Sequence, residues 1–575
     1  MSLILTGIGV NSGIAIGRVH RLTPGELELP EYHLGRDAVA AELERLQRAI
    51  DRSEQFLQSL LERMTEGGDT ARELLEAHRL ILRDPLLTEA TCQRIQNDRI
   101  NAEWALALQS EALMEEFRRI DDDYIALRQE DLEQATNLIQ RELAEQPAAL
   151  MGSQVPHQLE GTIIVAPSLG PADMAVLHQR RVAGLVSEHG GPLSHSAILA
   201  RSLEIPMIVG IHQALDRLKE DEPIILDGHY GALLLSFEES LQRHYEDKRE
   251  ASLRHRSELK RYLSRPSKTR DGESFHLFGN AEIPDEFERC QQVRACGIGL
   301  MRTEYLFQDE QLPSGEAQYR AYRAAVESMA GKPVTIRTLD AGSDKMPPGL
   351  AISQGPNPAL GLRGLRLSLA ITDLFREQIT AILRASRHGP VQILLPMVTN
   401  LDEIHQARRI IDDCRQVLQA RGEAIDPDIP VGGMIETPAA ALAVRHFAAV
   451  LDFMSVGTND LIQYVLAIDR EDEQVSYLYD PGHPGIVALI DQIVAASREF
   501  DCPVTVCGEM AGDEAAVRLL IALGVVNFSM PPSSIPAVKK SLVEAQARQC
   551  RKILSRFRHQ PNAGRELMSA LLEST

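Results

Sequence analysis

From about residue 33 to residue 144 the apolar positions recur at helical spacing. Leu43, Leu46, Ile50 and Leu57 fall on one face, with Glu and Arg between them, the rhythm of an amphipathic helix. "ARELLEAHRLILRDPLL" and "NAEWALALQSEALMEEFRRIDDDYIALRQEDLEQATNLIQREL" continue it with almost no glycine, so the block predicts a bundle of long helices. On either side the rhythm changes. Residues 1–20 are short apolar runs broken by Gly, Asn and Ser. Residues 160–236 alternate between runs such as "GTIIVAP", "VAGLVSE" and "EPIILDG" and a helical pattern starting at Ser194. The two flanks, 1–32 and 145–236, predict one α/β unit into which the helical block 33–144 is inserted. Residues 237–262 are densely charged with sparse apolar positions, as in a solvated linker helix.

The remaining stretch, 263–575, repeats strand then helix. Candidate strands lie near 275–280, 298–302, 333–338, 391–397, 430–436, 451–456, 503–507 and 525–529. Eight such units over this length predict a (β/α)8 barrel of the TIM type; an open doubly wound sheet is the alternative, less favoured by the count.

Composition narrows the classes. The chain has 575 residues and a net charge of −22, with 82 acidic against 60 basic residues. Nucleic-acid binding needs a basic footprint, so it is excluded as a general function. No uninterrupted apolar run approaches the ~20 residues of a membrane span, and the N-terminus lacks the basic-then-apolar signature of a secretory signal. The seven cysteines include no CxxC pair, so neither a zinc site nor a disulfide framework is expected, and the cytoplasm is the simplest compartment.

In a barrel of this type, functional side chains gather at the C-terminal ends of the strands. There the sequence sets Arg302 in "GIGLMRTE", Arg337, Asp340 and Lys345 in "VTIRTLDAGSDK", and Glu436 in "IPVGGMIETPAA". Asn459 and Asp460 end "LDFMSVGTND", Cys507 sits in "VTVCGEMAGD", Arg363 follows "NPALGL", and Arg470 closes "QYVLAIDR". Each alone has an ordinary reading: a surface arginine, a small buried thiol, a carboxylate capping a helix. Gathered at one rim, they form a set with a chemistry. Arginines clamp phosphate and carboxylate oxygens through charge-assisted pairs. Glu436 and Asp460 are hard oxygen ligands suited to Mg²⁺. A thiol beside them donates a proton to carbon. The set suits a small phosphorylated carboxylic acid whose loss of phosphate leaves an enolate.

A second centre lies in "HGGPLSHSAILARSLEIPMIVG", where Gly190 and Gly191 precede a helix beginning at His195. Backbone N–H groups at a helix N-terminus favour an anion, and the helix dipole disfavours the imidazolium and keeps the ring nucleophilic. A capping or core histidine is the plain alternative; the glycine pair, which allows close backbone approach, favours phosphoryl carriage. His189 reads as a loop residue, and His78 either as a packed helix histidine or as part of a docking face.

"GGPLSHSAILARSLEIPMIVG" resembles the phosphohistidine signature of phosphoenolpyruvate-utilising enzymes, and "VGGMIETPAA", "FMSVGTNDLIQYVLAIDR" and "VCGEMAGD" are similar to their barrel signatures. With the helical insertion, essentially the whole chain resembles the enzyme I family of bacterial phosphotransferase systems, in its sugar-transport or its nitrogen-related branch. The resemblance implies a swivelling phosphohistidine domain, His195 as the phosphorylated residue, and phosphoenolpyruvate held by Arg302, Arg337, Arg470 and Asn459. It further implies Mg²⁺ on Glu436 and Asp460, Cys507 as the acid forming pyruvate, a small histidine-containing phosphocarrier protein docking on residues 33–144, and a homodimer through the barrel. Leu193 stands where relatives carry Thr, and Ser343 where they carry Gly. The other readings are a phosphoenolpyruvate synthase or pyruvate phosphate dikinase, which needs a nucleotide-binding domain, and a silent docking relative, for which retained carbon-protonation machinery has no use.

Overall fold

A computed structural model describes residues 3–11, 13–22, 30–63, 75–76, 78–118, 123–144, 159–191, 194–203, 205–307, 312–342, 357, 359–469, 475–558, 560 and 564–573. They form two units, Met1–Arg254 and His255–Thr575.

The first unit is built on one eight-stranded sheet: β1 Leu3–Thr6, β2 Ile8–Gly9, β3 Ile14–Arg21, β4 Thr162–Ala166, β5 Gly184–Ser187, β6 Met207–Val209, β7 Pro223–Asp227 and β8 Ala232–Leu235. Its order is β1-β8-β7-β3-β4-β5-β6-β2. The first three strands are thus woven among the later five. β3 pairs in parallel with β4, Arg18 opposite Thr162, although about 140 residues separate them; the helical block is the excursion between two neighbouring strands. Apolar layers cover both faces of the sheet. One holds Ile164, Leu185, Leu199 and Met207, the other Ile163, Val165, Val186 and Leu226, so the central strands are apolar on consecutive positions.

The block itself contains helices Val39–Arg63, Pro85–Asp98, Ala102–Arg118 and Asp123–Leu143. The residues whose spacing predicted helices form its core, Leu46, Ile50 and Leu57 packing with Ile95, Leu106 and Ile139. Arg45 ties the helices together by bonding Glu42 and Glu103, and Glu42 accepts the Ala102 N–H at 2.7 Å, capping a helix 60 residues away. His78 is buried, with 2% exposure, so its packed reading holds. The charged segment is one helix, Glu239–Leu263. Without an apolar stripe, it carries i,i+4 pairs such as Arg243–Glu239 and Arg254–Glu250, which support a solvated helix.

The second unit contains the eight expected strands: β9 His276–Ala281, β10 Ile298–Met301, β11 Val334–Arg337, β12 Val391–Leu395, β13 Val431–Ile435, β14 Met454–Gly457, β15 Val504–Cys507 and β16 Asn527–Met530. All neighbours are parallel and β16 closes on β9, with Phe528 opposite Leu277; the barrel is closed and the open-sheet alternative falls. A large apolar layer joins the strands to the outer helices, while Leu300, Leu394, Met434, Phe453 and Cys507 fill the interior. No helix among the described residues is long and apolar enough to cross a membrane.

Candidate active site

The barrel rim brings eight of the expected residues onto one cleft of about 990 Å³: Arg302, Arg337, Asp340, Arg363, Glu436, Asn459, Asp460 and Cys507 all line it. Their positions follow from strand ends. Arg302 and Glu436 follow β10 and β13 directly, Arg337 and Cys507 end β11 and β15, and Asn459 and Asp460 open the helix Thr458–Leu466 after β14. Lys345 and Arg470 lie outside the described residues, as do Leu193 and Ser343.

The arginines are held by carboxylates, of which the strand-end pattern marked Asp340 but neither Glu282 nor Glu304. Asp340 bridges two of them, Oδ2 lying 3.0 Å from Arg337 and Oδ1 3.4 Å from Arg363. Glu304 takes the other side of Arg337 at 3.1 Å, and Glu282 pairs with Arg302 at 2.8 Å. Arg363 also donates to the Tyr464 hydroxyl at 3.2 Å, which itself donates to the Ala359 carbonyl. Burial opposes charge on Arg337, but Glu304, Asp340 and Glu436 more than offset it and keep the guanidinium ionised. "RTE" and "RTLD" set Glu304 and Asp340 two and three residues after Arg302 and Arg337. That proximity was the available signal; which arginine each would hold was not.

The Glu436 carboxyl is held away from its ordinary ionisation. Burial, then the charges of Asp340 and Asp460, push its pKa well above the ordinary carboxylate value, against the pull of Arg337. Its Oε1 accepts the Met397 N–H at 2.6 Å, while Oε2 is buried with no hydrogen-bond partner among the described residues. Gly457 packs against it so closely that a Cβ there would stand 2.6 Å from Oε2. A buried, unpartnered carboxylate oxygen beside other carboxylates is the donor set a hard cation fits. Among the described residues no three His, Cys, Asp or Glu side chains form a complete metal cage; Mg²⁺ needs only one or two carboxylates plus substrate oxygens.

Cys507 is buried on the interior side of the cleft, its Sγ 3.3 Å from the Ser455 hydroxyl and 3.3 Å from the Val456 carbonyl. Burial pushes the thiol up to about 11, opposed by the Ser455 hydrogen bond and by Arg337 and Arg302 and reinforced by Glu436. It is a protonated thiol at neutral pH. Asn459 is fixed by a reciprocal pair with Glu509, accepting its backbone N–H at 2.8 Å and donating to its carboxylate at 3.2 Å.

In the first unit, His195 is the first residue of the helix His195–Ser202, with Ser194 as N-cap accepting the Ala197 N–H. Gly190 adopts φ +101°, a conformation open to glycine at little cost. His189 is the exposed loop residue expected, its Nδ1 3.1 Å from the Pro167 carbonyl.

Three family models match the chain in order: "PEP-utilising enzyme, N-terminal" over 6–128, "PEP-utilising enzyme, mobile domain" over 158–231 and "PEP-utilising enzyme, PEP-binding domain" over 256–547. Relatives named phosphoenolpyruvate-protein phosphotransferase match along nearly their whole lengths. That of Cupriavidus necator is 39% identical over 95% of both chains. That of Bacillus subtilis is 37% identical over 92% of both. That of Geobacillus stearothermophilus is 38% identical over 96% of this chain and 95% of its own. Three domain models in sequence and end-to-end similarity at this level leave one assignment: the chain belongs to the phosphoenolpyruvate–protein phosphotransferase family of phosphoenolpyruvate-utilising enzymes.

Proposed function

We propose that the protein moves the phosphoryl group of phosphoenolpyruvate onto His195 and then onto a histidine of a small phosphocarrier protein, releasing pyruvate. The observation that carries this reading is the cleft at the barrel rim, where Arg302, Arg337 and Arg363 meet Glu436, Asp460, Asn459 and Cys507.

Arg302, Arg337 and Arg363, with Asn459, Arg470 and Lys345, bind the phosphate and carboxylate oxygens. The carboxylates that hold the first three orient them before substrate arrives. Glu436 and Asp460 would hold Mg²⁺, which when bound neutralises charge on the phosphoryl and carboxylate oxygens. His195 attacks phosphorus in line with the leaving enolate oxygen: the N–P bond forms as the P–O bond breaks. The enolate left behind takes a proton at C3 from the Cys507 thiol, giving pyruvate. With its pKa near 11, that thiol still carries its proton at neutral pH.

For the second half-reaction we assign carrier docking to the helical block 33–144. Leu80 and Leu86 support this, standing 72% and 65% exposed, the kind of apolar anchor a partner covers. His195 must serve both the rim and a bulky carrier, so the α/β unit is assigned a swivel relative to the barrel. Cytoplasmic location and a homodimer formed through the barrel complete the proposal.

The test is a coupled assay with phosphoenolpyruvate, Mg²⁺ and a purified histidine phosphocarrier. Pyruvate should stop at one equivalent per chain without carrier and match phosphorylated carrier one for one with it. A disulfide locking the two units together should stop one half-reaction and spare the other. Multiple turnovers that require a nucleotide instead of the carrier would overturn the reading in favour of a synthase or dikinase.

A further inference from the structure

Inside the barrel the Cys507 thiol meets the hydroxyl of Ser455. β14 and β15 run in parallel, with Ser455 opposite Thr505 and Gly457 opposite Cys507; because strand side chains alternate, Ser455 and Cys507 point to the same face. Leu300, Leu394, Met434 and Phe453 form an apolar layer with Cys507 there. Ser455 is 1% exposed, and among the described residues its hydroxyl has one hydrogen-bond partner, the Cys507 sulfur at 3.3 Å. A hydroxyl buried in such a layer is unfavourable unless it is bonded, and an alanine would fill the same space without that demand.

The direction of the bond follows from the other neighbour. The thiol has one hydrogen, and the Val456 carbonyl, 3.3 Å away, can only accept. The S–H therefore donates to Val456 and the Ser455 O–H donates to sulfur. We propose that Ser455 is a positioning residue for the carbon-protonation step, fixing the Cys507 sulfur in place and holding the thiolate it becomes; this rests on Cys507 being the acid. In that step the S–H bond breaks and the C3–H bond forms. The electron pair left on sulfur then faces a hydroxyl proton already directed at it, a charge-assisted bond stronger than the one made to the neutral thiol. An interaction that strengthens as charge develops accelerates the step instead of merely tightening binding.

The experiment uses the full chain and phosphoenolpyruvate stereospecifically labelled at C3 with deuterium and tritium, turned over in ordinary water. A fixed acid delivers hydrogen to one face and gives pyruvate with a methyl group of one handedness; enolpyruvate that escapes and ketonises in solution gives a racemic methyl. In Ser455→Ala, phosphorylation of the protein and the KM for phosphoenolpyruvate should stay within about twofold. Pyruvate formation within the site should slow on the order of tenfold or more, the scale of a lost hydrogen bond to a charged group, and the methyl should lose handedness. Ser455→Thr, which keeps the hydroxyl, should restore it. Cys507→Ala is run alongside. If it loses rate and handedness while Ser455→Ala keeps both, the role given to Ser455 is wrong and the acid assignment stands. If Cys507→Ala also keeps both, the acid assignment fails and takes this proposal with it.

Discussion

Cys507 shows how far a residue can be read before its surroundings are known. Its place at a strand end in "VTVCGEM" marked it as a candidate, but the property that fits it to acid catalysis comes from burial among Leu300, Leu394, Met434 and Phe453, the first of them about two hundred residues away. The same applies to Asp340, whose bridging of Arg337 and Arg363 pairs it with an arginine 23 residues further along the chain. Residue types and strand ends were legible; the pairing between them was not, because it is set by tertiary contact. A thiol raised to about 11 has a checkable signature. Alkylation requires the thiolate, so at pH 8.5 Cys507 should react roughly a hundredfold more slowly than an ordinary cysteine of pKa about 8.5. Its rate should climb about tenfold per pH unit up to pH 10, followed by site-resolved mass spectrometry. A plateau near pH 9 would show the thiol to be unperturbed.

At the scale of elements, periodicity did most of the work where it was strong. The eight barrel strands and the helical block follow their apolar patterns because those same residues fill the cores. Helix ends were less legible where the cap comes from far away. The helix Ala547–Phe557 has Gln546 as N-cap, which makes no capping bond. Instead Asp271, 276 residues earlier, accepts the Ala547 and Arg548 N–H groups at 2.9 Å each. No local motif announces such a cap. Burial works against the charged carboxylate, but the hydrogen bonds from Arg548, Thr269 and Ala547 bring its pKa down to about 2. The folded value lies below the unfolded ~3.9, so the stabilisation is present above pH 4 and is lost as pH falls toward 2. Asp271→Ala should cost about 1 kcal/mol at pH 7, on the scale of a lost cap discounted for solvent exposure. The difference from the parent should shrink as the pH of the denaturation assay is lowered below 4. A difference that stays constant down to pH 2.5 would mean that the charge contributes nothing.

For the whole molecule, the order of units was readable because each has its own rhythm: period two or continuous apolar runs in the sheet, helical spacing in the block, charge without a stripe in the linker. The pattern put β1–β3 in one unit with the later strands but not in their interleaved order, which is set by tertiary pairing. Function was legible to the degree that two separate centres could be seen, a histidine opening a helix behind two glycines and a charged rim on a barrel. That they belong to one reaction is the central claim. It is tested most directly by exposing the protein to phosphoenolpyruvate labelled at phosphorus, with Mg²⁺ and no carrier, and locating the label. The account predicts one phosphoryl group per chain, labile in acid and stable in base, carried on His195 and absent from His195→Ala; full labelling of the His195→Ala protein would contradict it.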